Sequence, residues 1–202
     1  VHKAFGLPID HLADVVVVSC GGYPKDLNLY QAVKSLLNAA QALRPGGTMV
    51  FLAQCPEGGG APDFFDWIHS LDAGTLDRDL RAAFTIAGYI FYASVEKIDR
   101  CQVKMLSDID PSIASRMHLQ AFSSLDALLQ TVDFSGKDVY VMPFGGFTVE
   151  YDPFDPFAPF RAARAQQQTG EEVFARAKKG LRDEALVVAA KVVALAVLSI
   201  AG

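Results

Sequence analysis

The chain has 202 residues, 51% of them apolar and 20% charged, which is enough for one large domain with a sizeable core. Its formal charge of −5, with no basic stripe to offset it, argues against a surface built to neutralise phosphates, so no nucleic-acid partner is expected. Three cysteines (Cys20, Cys55, Cys101) read as reduced thiols, and four scattered histidines (His2, His11, His69, His118) without CxxC or HExxH spacing suggest no metal centre.

In chain order, the first element is the apolar β-branched run Val15–Ser19, the kind of segment that lies buried in a parallel sheet. Gly21-Gly22, Pro24 and the Asp26/Asn28 pair then mark a tight loop before a helix from Leu27 to Leu43. Leu29, Val33, Leu36, Leu37 and Ala40 share one face of that helix, and Arg44-Pro45-Gly46-Gly47 should stop it. Thr48–Ala53 is the second strand, so strand, helix and strand make a βαβ unit that should cross over right-handed.

A Gly-rich loop, Cys55 to Gly60, follows the second strand. Pro62 to Leu71 predicts a helix with Phe64, Phe65 and Ile68 inward, and Asp77 to Phe84 another. Gly88 punctuates before a helix running to Ile98. Cys101–Leu106 and Asp138–Met142 are the third and fourth strands, with a helix from Ser123 to Val132 between them, capped by Ser123 or Ser124. Pro143-Phe144-Gly145-Gly146 closes the last strand in a second glycine loop. The sum is an α/β domain over residues 1–150: a three-layer, Rossmann-like, mostly parallel sheet with helices on both faces.

Residues 151–202 have a different texture. A proline at every third position from Pro153 to Pro159 forbids regular helix or central strand, so this stretch reads as an extended Pro/Phe-rich connector. A helical tail follows over about 161–168 and 171–200. Its last part is apolar except for Lys191 and Ser199, and with a lysine in mid-run a membrane anchor is not expected. There is no basic-then-apolar leader, and the chain is expected to be cytoplasmic. It opens on Val1, which suggests a fragment of a longer polypeptide.

The chemistry concentrates at the first strand–helix junction. Gln31, Lys34 and Asn38 lie off the apolar stripe of the first helix, and side chains there lean toward its N-terminus. Gln31 and Lys34 can therefore reach back toward the Gly21-Gly22 loop. An amide donor and an ammonium beside loop amides and the positive end of a helix would make a carboxylate receptor. Spacing alone leaves open a merely solvated polar face. Glu57, Asp63 and Cys20 lie near this region, but their residue types alone assign them no chemistry.

The run Ser19-Cys20-Gly21-Gly22-Tyr23-Pro24-Lys25-Asp26-Leu27-Asn28-Leu29-Tyr30-Gln31-Ala32-Val33-Lys34, with Pro45-Gly46-Gly47-Thr48 and Cys55-Pro56-Glu57-Gly58, resembles the C-terminal domain of the nickel-dependent lactate racemase family. The similarity continues more loosely through Lys104–Asp108 to Val141–Gly146. The resemblance implies half of a two-domain racemase or epimerase of small 2-hydroxy acids. A nickel pincer nucleotide would be held mainly by an N-terminal domain of the same polypeptide, which would also carry the catalytic histidines. Gln31 and Lys34 match the family's substrate-carboxylate clamp and Tyr30 its adjacent tyrosine, while Gly21 and Gly22 would lie toward the cofactor. On this reading the chain alone is inactive. It departs from the family pattern after Gly88, where Tyr89-Ile90 replaces a His-Lys pair.

Two other readings compete. Leu43–Phe51 looks like a late strand entry of a class I methyltransferase, although the second strand ends on Ala53-Gln54-Cys55 with no acidic residue for a ribose. A non-catalytic binding or structural module, docking through its Phe/Pro connector and apolar tail, is the other.

Overall fold

The computed structural model describes residues 6–9, 11–146 and 149–151. The core is a parallel sheet whose strands are β2 (Ala13–Ser19), β3 (Leu43–Leu52), β4 (Gln102–Leu106), β5 (Gln120–Phe122) and β6 (Val139–Met142). Their spatial order is β5-β4-β3-β2-β6. A separate parallel pair joins β1 (Gly6–Pro8) to β7 (Val149–Tyr151).

The strand sequences account for the layering. Side chains alternate across a strand, and here both faces are apolar. Val16, Val18, Met49, Phe51, Val103 and Met105 belong to one buried cluster, while Val15, Val17, Val50 and Leu52 belong to the other. The first cluster is closed by α1 (Leu29–Ala39), through Leu29, Ala32, Val33, Leu36 and Ala39. It also takes Phe64, which precedes a 3-10 turn (Phe65–Trp67), Ile68 from α2 (Ile68–Asp72), and Leu76 from α3 (Leu76–Ala82). Phe91, Val95 and Ile98 enter it from α4 (Ile86–Ile98), and Ala114 from α5 (Pro111–Arg116). The second cluster is covered by α6 (Leu125–Leu129) through Leu128. Lys104, buried under this layer, donates to the Thr131 carbonyl just past α6. Burial lowers its pKa, because desolvation disfavours the ammonium.

Several boundaries differ from the sequence reading, each for a local reason. α1 begins at Leu29, with the Asn28 side chain accepting from the Gln31 N–H as N-cap, and it ends at Ala39. Arg44-Pro45-Gly46-Gly47 does not stop the helix; it lies within β3 as an irregularity. Leu43 pairs with Ala13 and pairing resumes at Thr48 with Val15, so the intervening residues loop out. Gly46 sits there at φ +76°, and its N–H donates to the Arg100 carbonyl at 2.7 Å.

Gly88 does not punctuate before a helix, because α4 already begins at Ile86 with Thr85 as cap and Gly88 lies in its first turn. A Cβ on Gly88 would lie 2.4 Å from the Trp67 indole, so glycine serves close packing there. The helix foreseen over Pro62–Leu71 is shorter. Asp63 accepts from the Trp67 indole N–H and the Thr85 hydroxyl, joining the start of this segment to the α4 cap, and regular α-helix begins only at Ile68. α5, β5, β1 and β7 were not foreseen; each has six residues or fewer, too short for a periodicity. The connector beyond Tyr151 and the helical tail lie outside the described residues.

Candidate functional site

From β2 the chain moves outward through β3, β4 and β5, then returns to place β6 on the other side of β2. β6 thus reverses the direction in which the sheet grows, flanking β2 on the side away from β3. In open α/β sheets that reversal opens a crevice beyond the carboxyl ends of the two strands, where ligands bind.

The two loops at this reversal are tied together. The Gly145 N–H donates to the Ser19 carbonyl at 2.8 Å, and the Asn38 side-chain amide donates to the Gly145 carbonyl at 2.7 Å. Gly21 and Gly22 follow β2 at φ +85° and +80°, a left-handed conformation that costs glycine least. The Gly21 N–H donates to the Ser19 hydroxyl at 3.1 Å, and the Gly22 carbonyl accepts from the Lys25 N–H. Any Cβ on Gly21 would lie 2.8 Å from the Phe144 ring, so the β2 and β6 loops approach closely here.

Next along the chain are the residues singled out from sequence. The Lys34 ammonium donates to Gln31 Oε1 at 2.6 Å and stands 5.1 Å from the centroid of the Tyr30 ring. An ammonium can only donate, so the carbonyl end of the Gln31 amide must face it and the NH2 end must face away. Gln31 Nε2 and the remaining N–H bonds of Lys34 take no part in this bond. The π face of Tyr30 adds a cation–π contact to Lys34. Asn38, on the same polar stripe, does not join them; its side-chain amide is engaged by Gly145.

The start of α1 offers no free N–H for an anion. Leu29 N–H donates to the Gly58 carbonyl at 2.8 Å and Tyr30 N–H to the Gly59 carbonyl at 3.1 Å, while Gln31 N–H is taken by Asn28. An anion here would have to be met by side chains, with the helix dipole as background. The occupied amides escaped the sequence reading because their partners come from the loop after β3. The Asp26/Asn28 pair was the available signal for the cap.

Nearby ionisable groups have structural partners. Glu57 accepts from the Asn28 side-chain amide at 3.3 Å. The Thr85 hydroxyl holds the Asp63 pKa below the usual carboxylate value, outweighing desolvation by burial, and the Trp67 indole adds to the lowering. Burial pushes the Cys20 thiol up to about 12 and raises Cys55 as well, so both stay protonated near neutral pH. Among the described residues no three His, Cys, Asp or Glu side chains gather to hold a metal ion, and no helix is long and apolar enough to cross a membrane.

Comparison with known proteins places the chain as a whole. Residues 9–145 match the family model of the lactate racemase C-terminal domain. Lactate racemase from Thermoanaerobacterium thermosaccharolyticum is 42% identical over 55 residues, covering 27% of this chain and 13% of that protein. Lactate racemase from Lactiplantibacillus plantarum is 27% identical over 123 residues, covering 58% and 29%. The structure of the lactate racemase apoprotein from T. thermosaccharolyticum superimposes with a TM-score of 0.59 at 20% identity, over 73% of this chain and 37% of that one. This chain therefore spans well under half the length of these proteins. On the match over residues 9–145, it belongs to the lactate racemase C-terminal domain family.

Proposed function

We propose that this domain binds the carboxylate of a small 2-hydroxy acid within a racemase or epimerase. The observation that carries the reading is the Lys34–Gln31 hydrogen bond at 2.6 Å, which holds the two side chains together and leaves Gln31 Nε2 and the remaining N–H bonds of Lys34 outside that bond. A carboxylate has two oxygens: one would accept from Lys34 Nζ and the other from Gln31 Nε2. Charge-assisted bonds to an ammonium are the stronger kind. Tyr30 keeps Lys34 over its ring and shields one side of the ammonium from water.

Such a clamp suits inversion at the carbon next to the carboxylate. That carbon would give up a hydride from one face as its hydroxyl gives up a proton, forming a flat 2-keto acid, and both would return with the hydride on the other face. The hydride acceptor would be the nickel pincer nucleotide and the proton acceptor a histidine, both outside this chain. Fixing the carboxylate at two points holds the reacting carbon in place while either face is used.

The described residues do not fit a nickel ion, since no set of ligating side chains gathers and the two thiols nearest the crevice are held protonated. The nickel pincer nucleotide belongs, in this proposal, to an N-terminal domain of the same polypeptide. The same holds for the histidines that would handle the hydroxyl proton. Without that domain the chain would bind but not turn over. The test is racemisation of a 2-hydroxy acid by the complete, nickel-loaded polypeptide carrying Lys34→Ala. Loss of turnover with an unchanged fold supports the clamp; turnover at the wild-type rate removes it.

A further inference from the structure

The first turn of α1 is fastened, residue by residue, to the loop after β3. The Asp26 carbonyl accepts from the Cys55 N–H at 2.8 Å, and the Leu27 carbonyl from the Glu57 N–H at 3.0 Å. Leu29 and Tyr30 donate to the Gly58 and Gly59 carbonyls. Between these main-chain bonds lies one side-chain pair. Asn28 Oδ1 accepts from the Gln31 N–H at 3.1 Å, and Asn28 Nδ2 donates to Glu57 Oε2 at 3.3 Å. Gly60, at φ +85°, packs against the Asn28 amide so closely that a Cβ would lie 2.1 Å from its Cγ.

We propose that Asn28 and Glu57 are positioning residues for the carboxylate clamp, fixing the aim of Gln31 and Lys34 through the first turn of α1. The inference rests on the clamp reading above. The chemistry of the pair explains why asparagine occupies this cap. Aspartate and serine cap a helix about as well, but aspartate would set a carboxylate against that of Glu57, and serine has no donor to reach it. Only the amide caps the helix with its oxygen while holding the loop with its nitrogen. Gln31 bears the capped N–H and the clamp donor on the same residue, so a shift in the cap displaces the donor directly.

The test uses Asn28→Asp, Asn28→Ser and the exchanged pair Asn28→Asp/Glu57→Gln in the complete, nickel-loaded polypeptide. It reads two quantities: hydrogen-exchange protection of the Leu29, Tyr30 and Gln31 amides, and KM against kcat for a 2-hydroxy acid. Both single variants should lose protection at these amides and raise KM about tenfold, the size of one lost hydrogen bond to a charged group, with a smaller fall in kcat. In the exchanged pair the glutamine amide introduced on the loop donates to the aspartate carboxylate introduced at the cap, which should restore protection and KM together. Because Asn28→Ser adds no charge, its loss separates positioning from simple repulsion of the substrate. A wild-type KM in Asn28→Ser and Asn28→Asp, while Lys34→Ala raises it, overturns the positioning role and leaves the clamp standing. A wild-type KM in all three overturns both. Loss in Asn28→Asp without recovery in the exchanged pair also overturns the role of Glu57.

Discussion

The side-chain amide of Asn38 donates to the carbonyl oxygen of Gly145 at 2.7 Å, fastening α1 to the loop that follows β6. This bond crosses the point where the sheet reverses direction. The polar stripe of α1 thus makes two kinds of contact: Gln31 and Lys34 bond to each other, while Asn38 ties the helix to the loop after β6.

Asn38→Ala leaves the Gly145 carbonyl without that donor in a half-buried place. Leaving such an acceptor unpaired costs about 1–3 kcal/mol. Alanine is the better helix former, so a gain of under about 1 kcal/mol opposes the loss. Urea denaturation should show a net destabilisation. An unfolding midpoint equal to or above that of wild type would mean the bond is worth no more than the helix propensity gained.

Gly88 sets two effects of known size against each other. Alanine in place of a helical glycine gains about 1 kcal/mol of propensity. Here the added Cβ would lie 2.4–2.7 Å from three atoms of the Trp67 ring, and overpacking of that kind costs about 1–3 kcal/mol. The Trp67 indole is also tied to Asp63, which accepts from the α4 cap residue Thr85, so the ring cannot swing away without disturbing that cap. Gly88→Ala should lower the thermal midpoint, whereas a rise would show that Trp67 moves freely.

These contacts mark how far the sequence could be read. The β-branched run Val15–Val18 and the apolar stripe of α1 announce themselves by period, and the strand–loop–helix junction between them was legible from Gly21-Gly22, Pro24 and Asn28. Gln31 and Lys34 stand out by type and by resemblance to the lactate racemase family. What escaped depends on groups distant in the chain: the Gly58 and Gly59 carbonyls that occupy the start of α1, the Trp67 ring beside Gly88, and Gly145 opposite Asn38. Periodicity carries no information about such partners. β5 was missed because Gln120–Phe122 is too short to show an alternation.

Cys20 makes stability depend on alkaline pH. Its unfolded thiol titrates near 9.0 and burial raises the folded one to about 12. The folded state therefore keeps its proton after the unfolded state has lost it. The stabilisation is fully present below pH 9 and is lost as pH rises toward 12. Cys55 shifts in the same direction for the same main reason, the burial of its thiol. Denaturation midpoints should fall between about pH 9 and 11 in the wild-type chain and fall less steeply in Cys20→Ala. Equal slopes in the two proteins would contradict the assignment. Near neutral pH the native Cys20 should react with an alkylating agent only as fast as the chain opens.

Gln31→Glu tests the clamp more sharply than removal of the side chain. Glutamate keeps an oxygen for Lys34 Nζ, so the bond seen at 2.6 Å and the contact of Lys34 with Tyr30 both survive. The change falls on the other end of the side chain, where the donor Nε2 becomes a second acceptor oxygen. A substrate carboxylate then loses one hydrogen bond and meets a like charge. Losing a bond to a charged group costs about 1.5–3 kcal/mol, so KM for a 2-hydroxy acid should rise by about tenfold to a hundredfold, with repulsion adding to it. Lys34 is exposed and Gln31 half-buried, so the unfolding midpoint should stay near that of wild type. A high KM on an intact fold assigns the donor to the substrate. An unchanged KM would mean that Gln31 serves only to steady Lys34, leaving a single-point contact that could not keep the reacting carbon in place while both faces are used.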